Sequence, residues 1–144
     1  MTKISNLSYA VDSPVLGLVS VVIPTYQQVL LVRETLDSVI DQDYPNIEII
    51  VTDDGSTDGT SQIITEYASR FPDMVIPVFS EKNTGIAANF NRGLARVRGE
   101  YVAWLGGDDT MCPEKISKQV ALLQQHSDAV GCCHDAEVFE SDSG

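Results

Sequence analysis

A chain of 144 residues, 43% hydrophobic and 21% charged, has the size and make-up of one globular domain able to bury a core. Nine basic residues against 21 acidic ones leave a formal charge of −12, which excludes general affinity for nucleic acid or anionic lipid and means that an anionic nucleotide would need local help. Cys112, Cys132 and Cys133 are odd in number and lack paired zinc spacing, and no stretch approaches the roughly 20 apolar residues of a membrane span; reduced thiols in a cytoplasmic chain fit, with peripheral attachment at the inner face of a membrane left open.

After a mixed leader to about Gly17, the unbroken apolar run Leu18 to Ile23, stopped by Pro24, predicts a strand buried on both faces. Val29, Val32, Leu36, Val39 and Ile40 recur at helical spacing and predict a helix ending near Asp43 to Asn46, where Pro45 disfavours its continuation. Ile47 to Val51 is the next strand, and Ile63, Ile64, Tyr67 and Ala68 mark a second helix closing near Phe71 and Pro72. Val75 to Phe79 predicts a third strand, whose internal Pro77 lacks a ladder donor and so places it at a sheet edge. Asn83-Thr84-Gly85 leads into a helix with the apolar stripe Ile86, Phe90, Leu94 and Val97, with Gly93 allowing close packing and Gly99 as its stop. Tyr101 to Leu105 is a fourth strand, Pro113 opens a helix carrying Ile116, Val120 and Leu123, and Ala129 to Phe139 is expected to contain a fifth strand. No internal repeat or low-complexity tract is present.

Two acidic turns stand at strand ends: Asp53-Asp54-Gly55-Ser56-Thr57-Asp58-Gly59 after Val51, and Gly106-Gly107-Asp108-Asp109 after Leu105. In one parallel sheet both would open into the crevice where open α/β folds bind ligands. The first turn superficially matches a calcium-binding loop counted from Asp54, but its twelfth position is Thr65 instead of a bidentate Glu, and a strand replaces the required helix. A plain strand-to-helix turn, capped by Ser56, Thr57 or Asp58, accounts for the same residues. Neither a Gly-x-Gly-x-x-Gly fingerprint nor a Gly-Lys-Ser/Thr loop occurs, so phosphates must be held another way. Asp108 and Asp109 could do so through magnesium or manganese, whose remaining positions accept diphosphate oxygens; a polar turn leading to the Pro113 helix is the plainer account. His126, His134 and the thiols have no partner at catalytic spacing, and Trp104 is expected in the core instead of serving as a sugar platform.

Val19 to Tyr26, Leu36 to Val51 and the Asp53 to Thr60 turn together resemble the N-terminal half of family 2 inverting glycosyltransferases. The likeness continues through Asn83-Thr84-Gly85, Asn91-Arg92-Gly93, Gly99-Glu100-Tyr101 and Asp108-Asp109 to Pro113, so ordered motifs cover most of the chain. The resemblance implies the GT-A fold, a three-layer α/β/α nucleotide-sugar-binding domain with a mostly parallel sheet. It implies that Pro24, Thr25 and Tyr26 line the nucleoside and that Asp54 accepts a hydrogen bond from the base, commonly uracil, while Asp53 supports the turn. Asn83, Gly85 and Asn91 would shape the ribose and diphosphate side, and Asp108, with Asp109 beside it, would hold Mn2+ or Mg2+. The implied donor is a nucleotide-diphosphate sugar, UDP-linked sugars favoured, and the acceptor a glycan or lipid-linked sugar.

Two departures accompany the likeness. The first Asp of the family's Asp-x-Asp-Asp metal motif corresponds to Gly106, and the Ala-Arg pair common before the helix Asn is Asn89-Phe90, so a cationic phosphate contact is missing unless Arg92 turns inward. The acceptor half and the acid that deprotonates the acceptor are expected beyond Gly144, leaving a donor-binding part inactive by itself. The alternatives are a non-catalytic nucleotide-binding or interaction module of the same fold and, third, a nucleotidyltransferase, which should carry a glycine-rich basic loop where this chain has Pro24-Thr25-Tyr26-Gln27-Gln28.

Overall fold

The computed structural model describes residues 1–4 and 13–138. In chain order the elements are β1 (Thr2–Lys3), β2 (Val15–Thr25), α1 (Val32–Ile40), β3 (Ile47–Asp53), α2 (Thr60–Arg70), β4 (Val75–Phe79), α3 (Ile86–Leu94), β5 (Gly99–Trp104) and α4 (Lys115–Gln125). They form one five-stranded sheet in the order β1-β5-β2-β3-β4. β5, β2, β3 and β4 run parallel and β1 is antiparallel to β5, giving a mostly parallel α/β sheet with β4 at its edge, where Pro77 needs no outer partner.

Because successive strand side chains point to opposite faces, the continuous apolar runs feed two cores. Val21, Ile23, Ile49 and Val51 pack with Leu36 of α1, Ile64 of α2 and Ile116 and Leu123 of α4. Val22, Ile50 and Val102 face the other way, against Phe90 and Leu94 of α3. Gly93 lets α3 lie close: a Cβ there would stand 2.5 Å from Val22 Cγ1 and 3.1 Å from Thr52 Cγ2.

Several expectations change. Pro24 does not stop β2, which continues to Thr25, pairing Pro24 with Thr52 and Thr25 with Asp53 after β5 has left the ladder at Trp104. α3 ends at Leu94, so Gly99 is not its stop; it opens β5, where a Cβ would meet Leu18 O at 2.5 Å. Ile86, placed by periodicity on the buried stripe, is 72% exposed, and the residues α3 buries are Asn89 and Gly93. Trp104 is not core either: it is 38% exposed and stacks on Phe90 with ring centroids 4.7 Å apart. The fifth strand expected over Ala129 to Phe139 reduces, within the described residues, to a bridge between Gly131 and Thr2; Phe139 lies outside them. β1, too short for any periodic signal, takes the place beside β5.

Candidate functional site

All four parallel strands deliver their C-terminal ends to one side: Thr25, Asp53, Phe79 and Trp104. β2 is followed by β3 on one side and flanked by β5 on the other, so the strand order reverses beside it, and the two acidic turns rise on either side of the end of β2.

The two neighbouring acids of the first turn have separate fates. Asp53 is consumed by the turn: Oδ1 accepts from Thr25 Oγ1 (3.2 Å) and Ser56 Oγ (2.5 Å), and Oδ2 from Ser56 N and Ser61 Oγ, both at 3.0 Å. Gly55, at φ +75°, sits where a Cβ would lie 2.8 Å from the Lys82 carbonyl carbon, so only glycine lets this turn rest on the 82–83 backbone. Asp58, not the helix's own Gly59, supplies the nearest capping acceptor of α2, taking the Thr60 amide and hydroxyl at 3.0 and 2.7 Å.

Asp54 faces α3 and is almost fully buried. Its Oδ2 accepts the amides of Thr84 (2.9 Å) and Gly85 (2.8 Å), and its Oδ1 the Thr84 hydroxyl (2.8 Å) and Arg92 Nη2 (2.5 Å). Burial works against the ionised form, but the Arg92, Thr84 and Gly85 hydrogen bonds outweigh it and hold this carboxyl below the usual Asp range. Asp58 is held low in the same way: burial opposes its charge and the Thr60 and Val29 contacts overcome that. Depressed native values mean stability that is complete above the ordinary value of 3.8 and is lost as pH falls through the native ones. The urea midpoint is therefore expected to be level down to about pH 5 and to drop below about pH 4, with a shallower drop in Asp58→Asn. A midpoint rising on acidification would contradict this assignment.

The other expected nucleoside and phosphate contacts divide similarly. Tyr26, directly after β2, is 45% exposed, and Pro24 is half-buried, with its carbonyl accepting Gly107 N at 3.2 Å. Thr25 is turned away from a ligand position: its hydroxyl is bound to Thr52 O and Asp53, and its backbone carbonyl accepts Asp54 N (3.1 Å) and Asn89 Nδ2 (3.0 Å). Asn83 Oδ1 accepts Gly85 N at 3.0 Å and shapes the loop, while Asn91 is exposed, with no side-chain hydrogen bond among the described residues. Two braces escaped the sequence reading. Gln27 Oε1 accepts the Thr57 and Asp58 amides and Gln27 N binds Ser56 Oγ, tying the β2 loop to the Asp turn. Buried Asn89 crosslinks Thr25 and Thr52 and accepts Arg92 Nη2 at 3.0 Å. The signal for both was a polar residue inside an otherwise apolar or turn context, which sequence alone assigns to solvent.

At the second turn, Gly107 is wedged under the end of β2, where a Cβ would meet Gln28 Oε1 at 2.1 Å and Thr25 Cγ2 at 2.6 Å. Thr35 Oγ1 on α1 donates to Gly107 O at 3.0 Å, and Asp109 N closes the turn on Gly106 O at 3.1 Å. Asp108 and Asp109 are exposed, and their carboxylates converge over Gly106: the point where its Cβ would stand is 2.8 Å from Asp108 Oδ1 and 2.7 Å from Asp109 Oδ2. The missing first Asp of the motif thus leaves space that the other two carboxylates share. No cluster of three or more His, Cys, Asp or Glu suited to a metal occurs among the described residues. Two convergent carboxylates fit a hard cation that takes its remaining ligands from water and phosphate, not one caged by protein alone.

A hollow of about 600 Å³ lies across the Asp53 to Thr57 turn, lined by Ser61, Gln62, Thr65, Phe79 and Ser80 among others. It contains neither Asp54 nor Asp108, and its hydroxyls, the Phe79 ring and the acids Asp53 and Glu81 offer a diphosphate no cation. Among the described residues no helix is long and apolar enough to cross a membrane.

A family model described as glycosyl transferase family 2 matches residues 20–142. A putative teichuronic acid biosynthesis glycosyltransferase of Bacillus subtilis, TuaG, is 38% identical over 110 residues, covering 76% of this chain and 43% of that protein. Among solved structures, Staphylococcus aureus TarS residues 1–349, in complex with UDP-GlcNAc, superposes with a TM-score of 0.70 at 31% identity over 76% of this chain and 32% of that one. The mannosyltransferase PcManGT from Pyrobaculum calidifontis, in complex with GDP-Man and Mn2+, gives a TM-score of 0.68 at 32% identity over 73% of this chain and 32% of that one. The chain spans less than half the length of each.

Proposed function

The chain belongs to glycosyl transferase family 2, and from that premise we propose that its crevice binds the nucleotide half of a nucleotide-diphosphate sugar, UDP-linked sugars favoured. The observation that carries this reading is the pair of acidic turns at one end of a parallel sheet, a buried Asp54 on one side of β2 and an exposed Asp108 and Asp109 on the other. Asp54 is an ionised carboxylate that a base N–H would reach by displacing one of its present donors, exposed Tyr26 offers a ring face to the base, and the loop of Asn83 and Gly85 a wall for the ribose and diphosphate. That TarS is solved with UDP-GlcNAc supports uridine, while PcManGT shows that a related site takes GDP-Man.

Asp108 and Asp109 would hold Mn2+ or Mg2+, which when bound neutralises charge on the departing diphosphate. Their own part is to converge on one point, where a held cation would offset the repulsion that a chain of charge −12 exerts on an anionic donor. The activity that we propose for the protein is transfer of the sugar, with inversion, to a glycan or lipid-linked sugar.

Calorimetric titration with UDP and GDP, each with Mn2+ and with EDTA, tests the reading. UDP is expected to bind at least about tenfold more tightly with Mn2+, and Asp108→Ala to remove that gain, since a ligating carboxylate contributes about as much as a charged hydrogen bond. Binding of neither nucleotide would sink the donor-site reading and favour a module that keeps only the fold.

A further inference from the structure

Asp54 is saturated. An ionised carboxylate offers about four acceptor positions, and here the Thr84 amide, the Gly85 amide, the Thr84 hydroxyl and Arg92 Nη2 fill them. A base N–H can reach Asp54 only if one donor leaves. Two of the four are backbone amides at the start of α3, and the third is the hydroxyl on the same loop. The fourth sits on a long side chain that remains 27% exposed.

Arg92 is also incompletely satisfied where it lies. Nη1 donates to Thr84 Oγ1 at 2.8 Å and Nη2 is shared between Asp54 and Asn89, but Nε is buried without an acceptor. A buried donor with no partner disfavours the arrangement that holds it. Position 90, where a cation could otherwise have met phosphate, is a phenylalanine stacked on Trp104. Arg92 is thus a cation hydrogen-bonded to the crevice's own residues, with a planar fork suited to two phosphate oxygens.

We propose that Arg92 is an exchangeable phosphate ligand: without nucleotide it occupies the acceptor of Asp54, and on donor binding it yields Asp54 to the base and turns its guanidinium onto the diphosphate. This rests on the nucleotide-site reading above. The exchange moves the cation to the diphosphate and leaves the Asp54 carboxylate with the Thr84 and Gly85 amides, the Thr84 hydroxyl and the base N–H as its four donors. It also makes the nucleoside alone a poor ligand, because uridine must displace Arg92 and gives it no phosphate in return.

The test compares UDP with uridine on the wild-type chain and on Arg92→Gln and Arg92→Lys, in EDTA, with thermal melts confirming that each variant is folded. Arg92→Gln is expected to weaken UDP by about tenfold or more while leaving uridine unchanged or tighter, so that the preference for UDP over uridine collapses. Arg92→Lys, with charge but no fork, should fall between. Equal weakening of both ligands would show that Arg92 only props Asp54, and no change in either would show that it takes no part; both overturn the exchange while wild-type UDP binding stands. Wild type that binds neither ligand, with metal or without, overturns the nucleotide reading itself.

Discussion

Asp54→Ala is expected to weaken UDP binding by roughly a hundredfold and to lower unfolding stability by about 2 to 3 kcal/mol. The binding loss follows from removing a charged acceptor, where one hydrogen bond is worth about 1.5 to 3 kcal/mol, together with release of the loop that Asp54 anchors. The stability loss follows from the donors left behind: the Thr84 and Gly85 amides, the Thr84 hydroxyl and Arg92. Breaking a buried ion pair costs about 3 to 5 kcal/mol, and the loss expected here lies at or just below the low end because Arg92, partly exposed, can swing into water. Asp54→Asn separates the two effects. It keeps the shape of the side chain, yet its amide NH2 opposes donors, so affinity should fall nearly as far as in Asp54→Ala. If Asp54→Ala still binds UDP within about twofold of wild type, the base is recognised elsewhere.

Much of this site was legible in the chain. The runs before Asp53 and Asp108 are buried on both faces, and a parallel sheet has only one place to gather the ends of such strands. What could not be read was the division of labour between Asp53 and Asp54. Strand alternation sets them on opposite faces, but their roles come from partners remote in sequence: Thr25 on β2, 28 residues back, for Asp53, and Thr84 and Arg92, 30 and 38 residues along, for Asp54. Nor did the motif reveal that Arg92 turns inward, since a helical arginine beside an exposed asparagine reads as a solvated face. Gly99 was misread for a related reason: a glycine after a helical stripe suggests a stop, whereas here it permits the close approach of β5 to Leu18. Ile86 and Trp104 show the limit of periodicity, which reports a face without reporting whether anything covers it.

β3 and the turn after it hold three buried acids, Glu48, Asp53 and Asp54, and comparing Glu48 with Asp54 tests whether burial alone marks function. Glu48, near the opposite end of the strand, is 1% exposed. Its Oε1 accepts Ser20 Oγ (2.5 Å) and Arg98 N (2.9 Å), and its Oε2 the Arg98 side chain at 2.6 and 2.8 Å; Ser20 Oγ in turn accepts Gly99 N at 2.9 Å. This knot joins β2, β3 and the start of β5 far from the strand ends where ligands collect. Glu48→Ala orphans a hydroxyl and an amide in the core and is expected to reduce unfolding stability by about 3 kcal/mol, the low end for a broken buried pair because Arg98 is largely exposed and regains water. Below its melting transition the same variant should bind UDP within about twofold of wild type. Denaturant unfolding and calorimetry on Glu48→Ala and Asp54→Ala should therefore give a similar loss of stability and opposite results for binding. A tenfold loss of affinity in folded Glu48→Ala would mean that the two ends of β3 are coupled, and that the crevice is set by the whole strand and not by the acids at its end.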